Sequence, residues 1–215
     1  MTEPSARLYL VSPVIADAEG LAPRLAEACG AGGIAAVLLR FAPADERTLV
    51  KHVKALAPVA QEGGAAAVIA ATGEVDLAAV AVRGGADGVH TGAGPAAARE
   101  LRERLSDRIL GAGNIRSRHD AMEFGEAGVD YVMFGEPRAD GSLPPLEAVI
   151  ERAAWWAEIF QTPCIAYAPT LEAVSDLVRT RAEFIVVGEA VWSHPDGPAA
   201  AVAAALERCA AEAAR

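Results

Sequence analysis

Short runs of β-branched and other apolar residues alternate along this chain with longer, Ala-rich amphipathic stretches. Eight runs read as strands: Leu8 to Ser12, Ile34 to Arg40, Ala66 to Ala71, Gly88 to Thr91, Ile109 to Gly113, Tyr131 to Gly135, Pro163 to Ala168 and Phe184 to Gly188. Each is followed by sequence of helical period, approximately over 18–30, 45–62, 74–84, 95–105, 117–127, 145–160, 170–179 and 196–213. Strands that alternate with helices in this way argue for βαβ units and a parallel sheet. An open doubly wound sheet is the competing fold. Eight repeats without a GxGxxG dinucleotide signature favour closure instead, into a single (β/α)8 TIM barrel over residues 1–215.

The punctuation agrees with that reading. Gly32-Gly33, Gly63-Gly64 and Gly84-Gly85 fall where a helix ends and the next strand begins, as helix C-caps do. Pro95, Pro145 and Pro198 lie near helix starts, where the missing N–H costs little. The segment from Glu136 to Pro145 is the most loop-like of the chain. Its place after the sixth strand puts it on the face where barrels do chemistry, and it reads as a lid.

Composition narrows the partners. Hydrophobic residues make up 53% of the chain but aromatics only 5%, so Ala, Val, Leu and Ile must fill most of the core. The net charge of -10 repels nucleic acid and anionic lipid, so neither a nucleic acid nor a membrane is expected as partner. A small phosphate is not excluded, because backbone N–H groups and one Arg act locally in a sheltered pocket. Cys29, Cys164 and Cys209 are odd in number and lack CxxC spacing, which suggests neither a disulfide framework nor a zinc site. The N-terminal residues show no apolar signal region, and no run approaches the roughly 18 apolar residues of a membrane span. A soluble protein of the reducing cytoplasm is expected.

In a (β/α)8 barrel the chemistry lies at the C-terminal ends of the strands. Those ends carry Ser12, Arg40, Thr72, His90, Asn114, Glu136, Tyr167 and Gly188-Glu189. Arg40 closes an apolar run, so its guanidinium emerges at the mouth, either onto a phosphate or carboxylate or into an ion pair with Glu136 or Glu189. His90 suits an acid, a base or a hydrogen-bond donor, with a packed core histidine as the alternative. Asn114 either orients a ligand or serves a turn. Glu136 and Glu189, in similar Phe-Gly-Glu and Val-Gly-Glu contexts, suit a metal or acid and base work. His119 reads as surface or packing, and Cys164 as a small buried hydrophobe. Trp155, Trp156 and Trp192 read as packing outside the barrel or at an oligomer contact, with Trp192 near enough to the mouth to shield a ligand.

Four passages, Leu8-Tyr-Leu-Val-Ser12, Ala86-Asp-Gly-Val-His-Thr-Gly92, Gly128-Val-Asp-Tyr-Val-Met-Phe-Gly135 and Phe184-Ile-Val-Val-Gly-Glu-Ala-Val191, occur in an order that resembles the thiamine phosphate synthase and thiazole tautomerase superfamily over nearly the whole chain. The resemblance implies transfer of a pyrimidine-methyl group from its diphosphate to a thiazole phosphate, with Mg2+. It also implies a small phosphorylated heteroaromatic ligand and leaves room for a homodimer.

The site departs from the family's pattern. Of the usual Gln-x-Arg-x-Lys after strand two, only Arg40 stands in Leu38-Leu-Arg-Phe-Ala42. The Asn-Asp pair after strand three is Ala71-Thr-Gly73, and the Asp after the fourth-strand His falls in Thr91-Gly-Ala-Gly-Pro95, so both Mg2+ carboxylates are missing. Arg138 stands where a Lys loop is usual, Ala168-Pro-Thr170 replaces a phosphate-holding Gly-Gly turn, and His119 lies too deep in its helix to match the tautomerase His. The candidates for the catalytic groups are therefore Arg40, His90 and Glu136, with Ser12, Thr72, Asn114, Arg138, Tyr167, Gly188 and Glu189 as substrate-binding positions. Three readings follow: a degenerate-site synthase in which Arg40 and Arg138 bind diphosphate and Glu136 or Glu189 replaces the metal ligands; a non-catalytic or differently specific phosphate-ligand-binding barrel; and a thiazole isomerase.

Overall fold

The computed structural model describes residues 6–138 and 140–213, so the ends of the expected 1–215 unit lie outside the described residues. Within them the chain runs β1 (Arg7–Ile15), α1 (Ala18–Gly30), β2 (Ile34–Phe41), α2 (Glu46–Glu62), β3 (Ala66–Ala71), α3 (Leu77–Gly84), β4 (Gly88–Thr91), α4 (Pro95–Leu105) and β5 (Ile109–Ala112). It continues with α5 (Arg118–Glu126), β6 (Tyr131–Phe134), α6 (Leu146–Ile159), β7 (Cys164–Ala168), α7 (Ala173–Val178), β8 (Phe184–Val187), α8 (Glu189–Trp192) and α9 (Pro198–Ala213). The strands close in order, β1 through β8 and back to β1, and every neighbouring pair is parallel. The expected (β/α)8 barrel is the fold.

Side chains alternate along each strand, and the alternation divides the apolar residues into two cores. Leu8, Leu10, Val37, Leu39, Val132 and Phe134 face outward into the layer shared with the helices. Tyr9, Val11, Ala36, Leu38, Val68, Tyr131, Met133, Ile165, Tyr167 and Val186 fill the barrel interior. Trp156 belongs to the outer layer, fully buried against Phe134 and Phe160 with its indole N–H on the Thr162 carbonyl at 2.7 Å. It packs outside the barrel, as expected of it.

Local sequence sets the helix ends. Asp17, Asp45 and Asp76 accept N–H groups of the first turns of α1, α2 and α3, and Ser117 with Asp120 forms a capping box on α5. Gly85 ends α3 in the left-handed region, where a side chain is strained. Asp87, Asp130 and Glu183 stand just before β4, β6 and β8 and accept the N–H groups of Ala67, Leu110 and Cys164 on the preceding strands, at 2.7–2.8 Å. These acids tie the N-terminal ends of the strands together and stand away from the mouth.

Some bounds differ from the sequence expectation. β1 continues past Ser12 to Ile15, because its register with β2 shifts between Val11 and Val14 and then resumes at Val14 opposite Arg40. Ser12 bridges the irregularity by accepting the Arg40 N–H on its Oγ at 2.9 Å. α7 starts at Ala173 rather than near 170, with the Thr170 hydroxyl taking the Ala173 N–H. The short α8 between β8 and α9 was hidden by its four-residue length, too brief to show a helical period.

Candidate functional site

The C-terminal ends of the strands bring together the side chains of three predicted residues, Arg40, His90 and Glu136, with the backbone of a fourth, Asn114. Arg40 shares the inward parity of Ala36 and Leu38 on β2. Its Nε–H donates to the Ser12 carbonyl at 3.0 Å, which aims the half-buried guanidinium across the mouth. The ion pair with Glu136 or Glu189 that sequence allowed is not formed among the described residues. Arg40 acts on Glu136 through its charge at longer range.

His90, only 5% exposed, sits between two partners. Its Nε2 lies 3.2 Å from Glu136 Oε2 and its Nδ1 lies 2.9 Å from the Tyr131 hydroxyl. Tyr131 in turn lies 2.9 Å from the Tyr9 hydroxyl, so four side chains form one chain of hydrogen bonds from the interior of the barrel to its mouth. Burial opposes ionisation of Glu136. The hydrogen bond from His90, the backbone N–H of Asn114 and the charge of Arg40 outweigh it and hold the carboxyl below its usual range. Glu136 is therefore an ionised carboxylate that keeps 27% of its side chain open to the mouth.

Two glycines of the fifth strand and its exit make room for this chain. A Cβ at Gly111 would stand 2.0 Å from Tyr131 Cζ, and one at Gly113 would stand 1.8 Å from Glu136 Oε2 and 2.4 Å from His90 Nε2. No residue larger than glycine fits either place without displacing the network.

The other predicted positions serve around this centre. Ser12 is fully buried and holds Arg40 rather than facing a ligand. Asn114 adopts φ 54° and its side-chain amide donates to the Gly92 carbonyl at 3.3 Å, so it serves the turn while its backbone N–H supports Glu136. Tyr167 is buried on β7, with its hydroxyl bonded by the Glu189 backbone N–H and within 2.8 Å of where a Cβ on Gly188 would lie. Gly188 thus gives the Tyr167 ring its space, while the Glu189 side chain is exposed. Thr72 is exposed beyond β3. Arg138 bonds Ser142 Oγ at 3.0 Å within the turn of its own loop, and is not drawn to Arg40 and His90. Trp192 is buried, its indole N–H on the Val11 carbonyl at 2.6 Å.

His119 lies exposed on α5 beside Glu123, and Cys164 is buried, both as expected. Among the described residues no group of three His, Cys, Asp or Glu side chains is arranged around a metal position. At the mouth, Glu136 gives its Oε2 to His90, and the Glu189 carboxylate is exposed. A Mg2+ ion takes near-octahedral oxygen ligands, commonly one or two carboxylates together with substrate phosphates and water. A cavity of about 380 Å³ opens at the opposite face, between Tyr9, Ala36, Ala66, Val68 and Tyr131, where two alanines leave the floor of the barrel underfilled. It is remote from Arg40 and Glu136.

Sequence reasoning missed Tyr9 and Tyr131. The available signal was Gly111 within β5, whose missing side chain leaves room for the Tyr131 ring.

Comparison with known proteins agrees with the fold. Residues 8–191 match the family model described as thiamine monophosphate synthase. A thiamine-phosphate synthase of Rhodospirillum centenum is 40% identical over 92% of this chain and 94% of its own length. One of Hyphomonas neptunium is 35% identical over 94% and 92%. A thiamine phosphate pyrophosphorylase structure from Pyrococcus furiosus superposes with a TM-score of 0.77 at 22% identity, covering 98% of both chains, a likeness of fold.

Proposed function

The chain belongs to the thiamine monophosphate synthase family, and from that premise we propose that its mouth joins a pyrimidine diphosphate to a thiazole phosphate, releasing pyrophosphate. The observation that carries the reading is the constellation of a held cation, Arg40, and a held anion, Glu136, at the mouth of a barrel of this family. In the reaction the bond from the pyrimidine methylene carbon to the diphosphate oxygen breaks, and the diphosphate leaves with the electron pair. A bond forms from that carbon to the thiazole nitrogen, which becomes positively charged.

Both charges that develop have a counterpart on this chain. The Arg40 guanidinium presents its open N–H donors to phosphate oxygens. The Glu136 carboxylate, fixed by His90 and Asn114, opposes the positive charge that grows on carbon and then on the thiazole ring. A cytoplasmic setting belongs to the same reading, since all three cysteines are free and buried and no described helix is long and apolar enough to cross a membrane.

The test is to incubate the purified protein with the pyrimidine diphosphate and thiazole phosphate, with and without Mg2+, and to measure thiamine phosphate and pyrophosphate. Both products should appear in equal amounts. Absence of product in every arm, with thiazole phosphate still raising Tm, would replace this reading by a binding-only barrel. Arg40→Ala should weaken binding of the phosphorylated ligand by about 10- to 100-fold in Kd, the equivalent of a hydrogen bond to a charged group. Unchanged binding would remove Arg40 from the site.

A further inference from the structure

We propose that Tyr131, with Tyr9 behind it, is a positioning residue that holds His90 as the neutral tautomer with its proton on Nε2, so that His90 donates to Glu136 at the mouth. Donors and acceptors along the chain set the tautomer. Glu136 is ionised and accepts only, so the 3.2 Å contact requires a proton on His90 Nε2. Neutral His90 then presents a bare Nδ1, and the Tyr131 hydroxyl 2.9 Å away has the proton to give it. With its proton committed, the Tyr131 oxygen is free to accept from the Tyr9 hydroxyl, 2.9 Å away. The whole chain then runs one way, from Tyr9 to Tyr131 to His90 to Glu136.

The reverse arrangement is the costly one. A proton on Nδ1 would have to point at the Tyr131 oxygen, turning the Tyr131 proton onto Tyr9. The Tyr9 O–H would then have to point away, and no other hydrogen bond of that hydroxyl occurs among the described residues. A buried hydroxyl left without a partner is destabilising. Both phenols keep their protons, because burial pushes each of them well above the ordinary phenol range. In the forward arrangement every buried side-chain polar atom of the four residues is satisfied; the one orphan atom among the described residues is His52 Nδ1, elsewhere on α2.

The surroundings leave the rings little alternative. Tyr9, Tyr131 and His90 are each at most 5% exposed, and Tyr131 lies edge-on to Tyr9 at 5.8 Å and nearly parallel to His90 at 5.7 Å between centroids. The missing Cβ atoms of Gly111 and Gly113 define the slot they occupy. Neither tyrosine reaches the mouth, so the pair acts on the reaction only through His90 and Glu136. That catalytic consequence rests on the synthase reading above; the tautomer does not.

The measurement is 15N NMR of histidine-labelled full-length protein, free of ligand and near neutral pH. The His90 signals are assigned by their loss in His90→Gln. The expected spectrum has a pyridine-type Nδ1 and a pyrrole-type Nε2. A protonated Nδ1, alone or in an imidazolium, overturns the proposal. Tyr131→Phe keeps the ring and removes the donor, so the Nδ1 resonance should move toward that of an unbonded pyridine-type nitrogen; an unmoved Nδ1 also overturns it. If Tyr131→Phe fails to fold by circular dichroism, Tyr9→Phe, one link further back, should move the same resonance by less, and no movement there overturns the proposal too. Where the protein turns over, Tyr131→Phe should lower kcat about tenfold with KM held, the kinetic equivalent of one net hydrogen bond. A protein without turnover but with the expected spectrum sinks the synthase reading and leaves the positioning intact.

Discussion

An alanine at position 111 would place its Cβ 2.0 Å from Cζ, 2.2 Å from the hydroxyl oxygen and 2.5 Å from Cε1 of Tyr131. These are stiff ring atoms. Tyr131 is held at its hydroxyl by both Tyr9 and His90, and cannot move aside without breaking both bonds. Overpacking a filled interior costs about 1–3 kcal/mol, and each buried hydrogen bond lost adds about 0.5–1.5 kcal/mol. Gly111→Ala should therefore destabilise the fold by about 2–6 kcal/mol. For a chain of this size that lowers Tm by at least about 4 °C. Guanidinium unfolding followed by circular dichroism measures the difference. The same substitution made in a Tyr131→Ala background should cost far less, because the added methyl then enters vacated space; a coupling above about 1 kcal/mol is expected from the double-mutant cycle. A Gly111→Ala cost below about 0.5 kcal/mol, or no coupling to Tyr131, would refute the packing argument and with it the reason for the glycine.

Two further outcomes are expected. The Glu136 carboxyl is depressed below its ordinary 4.5, so its contribution to stability is present above about pH 4.5 and lost as pH falls through the depressed folded-state value. Glu136→Gln should therefore differ from the native protein in Tm most near neutral pH and converge on it in acid; a difference independent of pH would contradict the ionised pair. Burial pushes the Cys29 and Cys209 thiols up to about 11 and Cys164 higher still, so none should react with a thiol-specific disulfide reagent in native protein near neutral pH, while all three react in guanidinium. Rapid reaction of any one in the native state would contradict its burial.

Alternating period and turn chemistry made the barrel legible, and β3, β4, α1 and α4 have the bounds that the pattern assigned them. The places of Arg40 and His90 at the C-terminal ends of β2 and β4 were legible too. The partners of those residues were not legible. The bond from Tyr9 to Tyr131 spans 122 residues and that from His90 to Tyr131 spans 41, and no local pattern encodes which inward side chains meet across an interior. Ser12 illustrates the same limit on a smaller scale. Its place at a strand end suggested a ligand contact, but the register shift that makes it a bracket for Arg40 depends on a neighbouring strand. Arg138 suggested phosphate binding by its charge, and its own loop takes its side chain up.

The closure of β1 on β8 sets the order in which a ribosome can complete this protein. Leu8 to Leu10 pair with Ile185 to Val187, so one edge of the first strand has no partner until about 180 further residues have been made. At roughly 5–20 residues per second that interval is about 9–36 s. Throughout it a strand of alternating Leu and Tyr presents a bare edge, the kind of surface that recruits the wrong strand. The tyrosine at its centre also waits for Tyr131, so the ring of strands and the chain of hydrogen bonds inside it are finished late in synthesis.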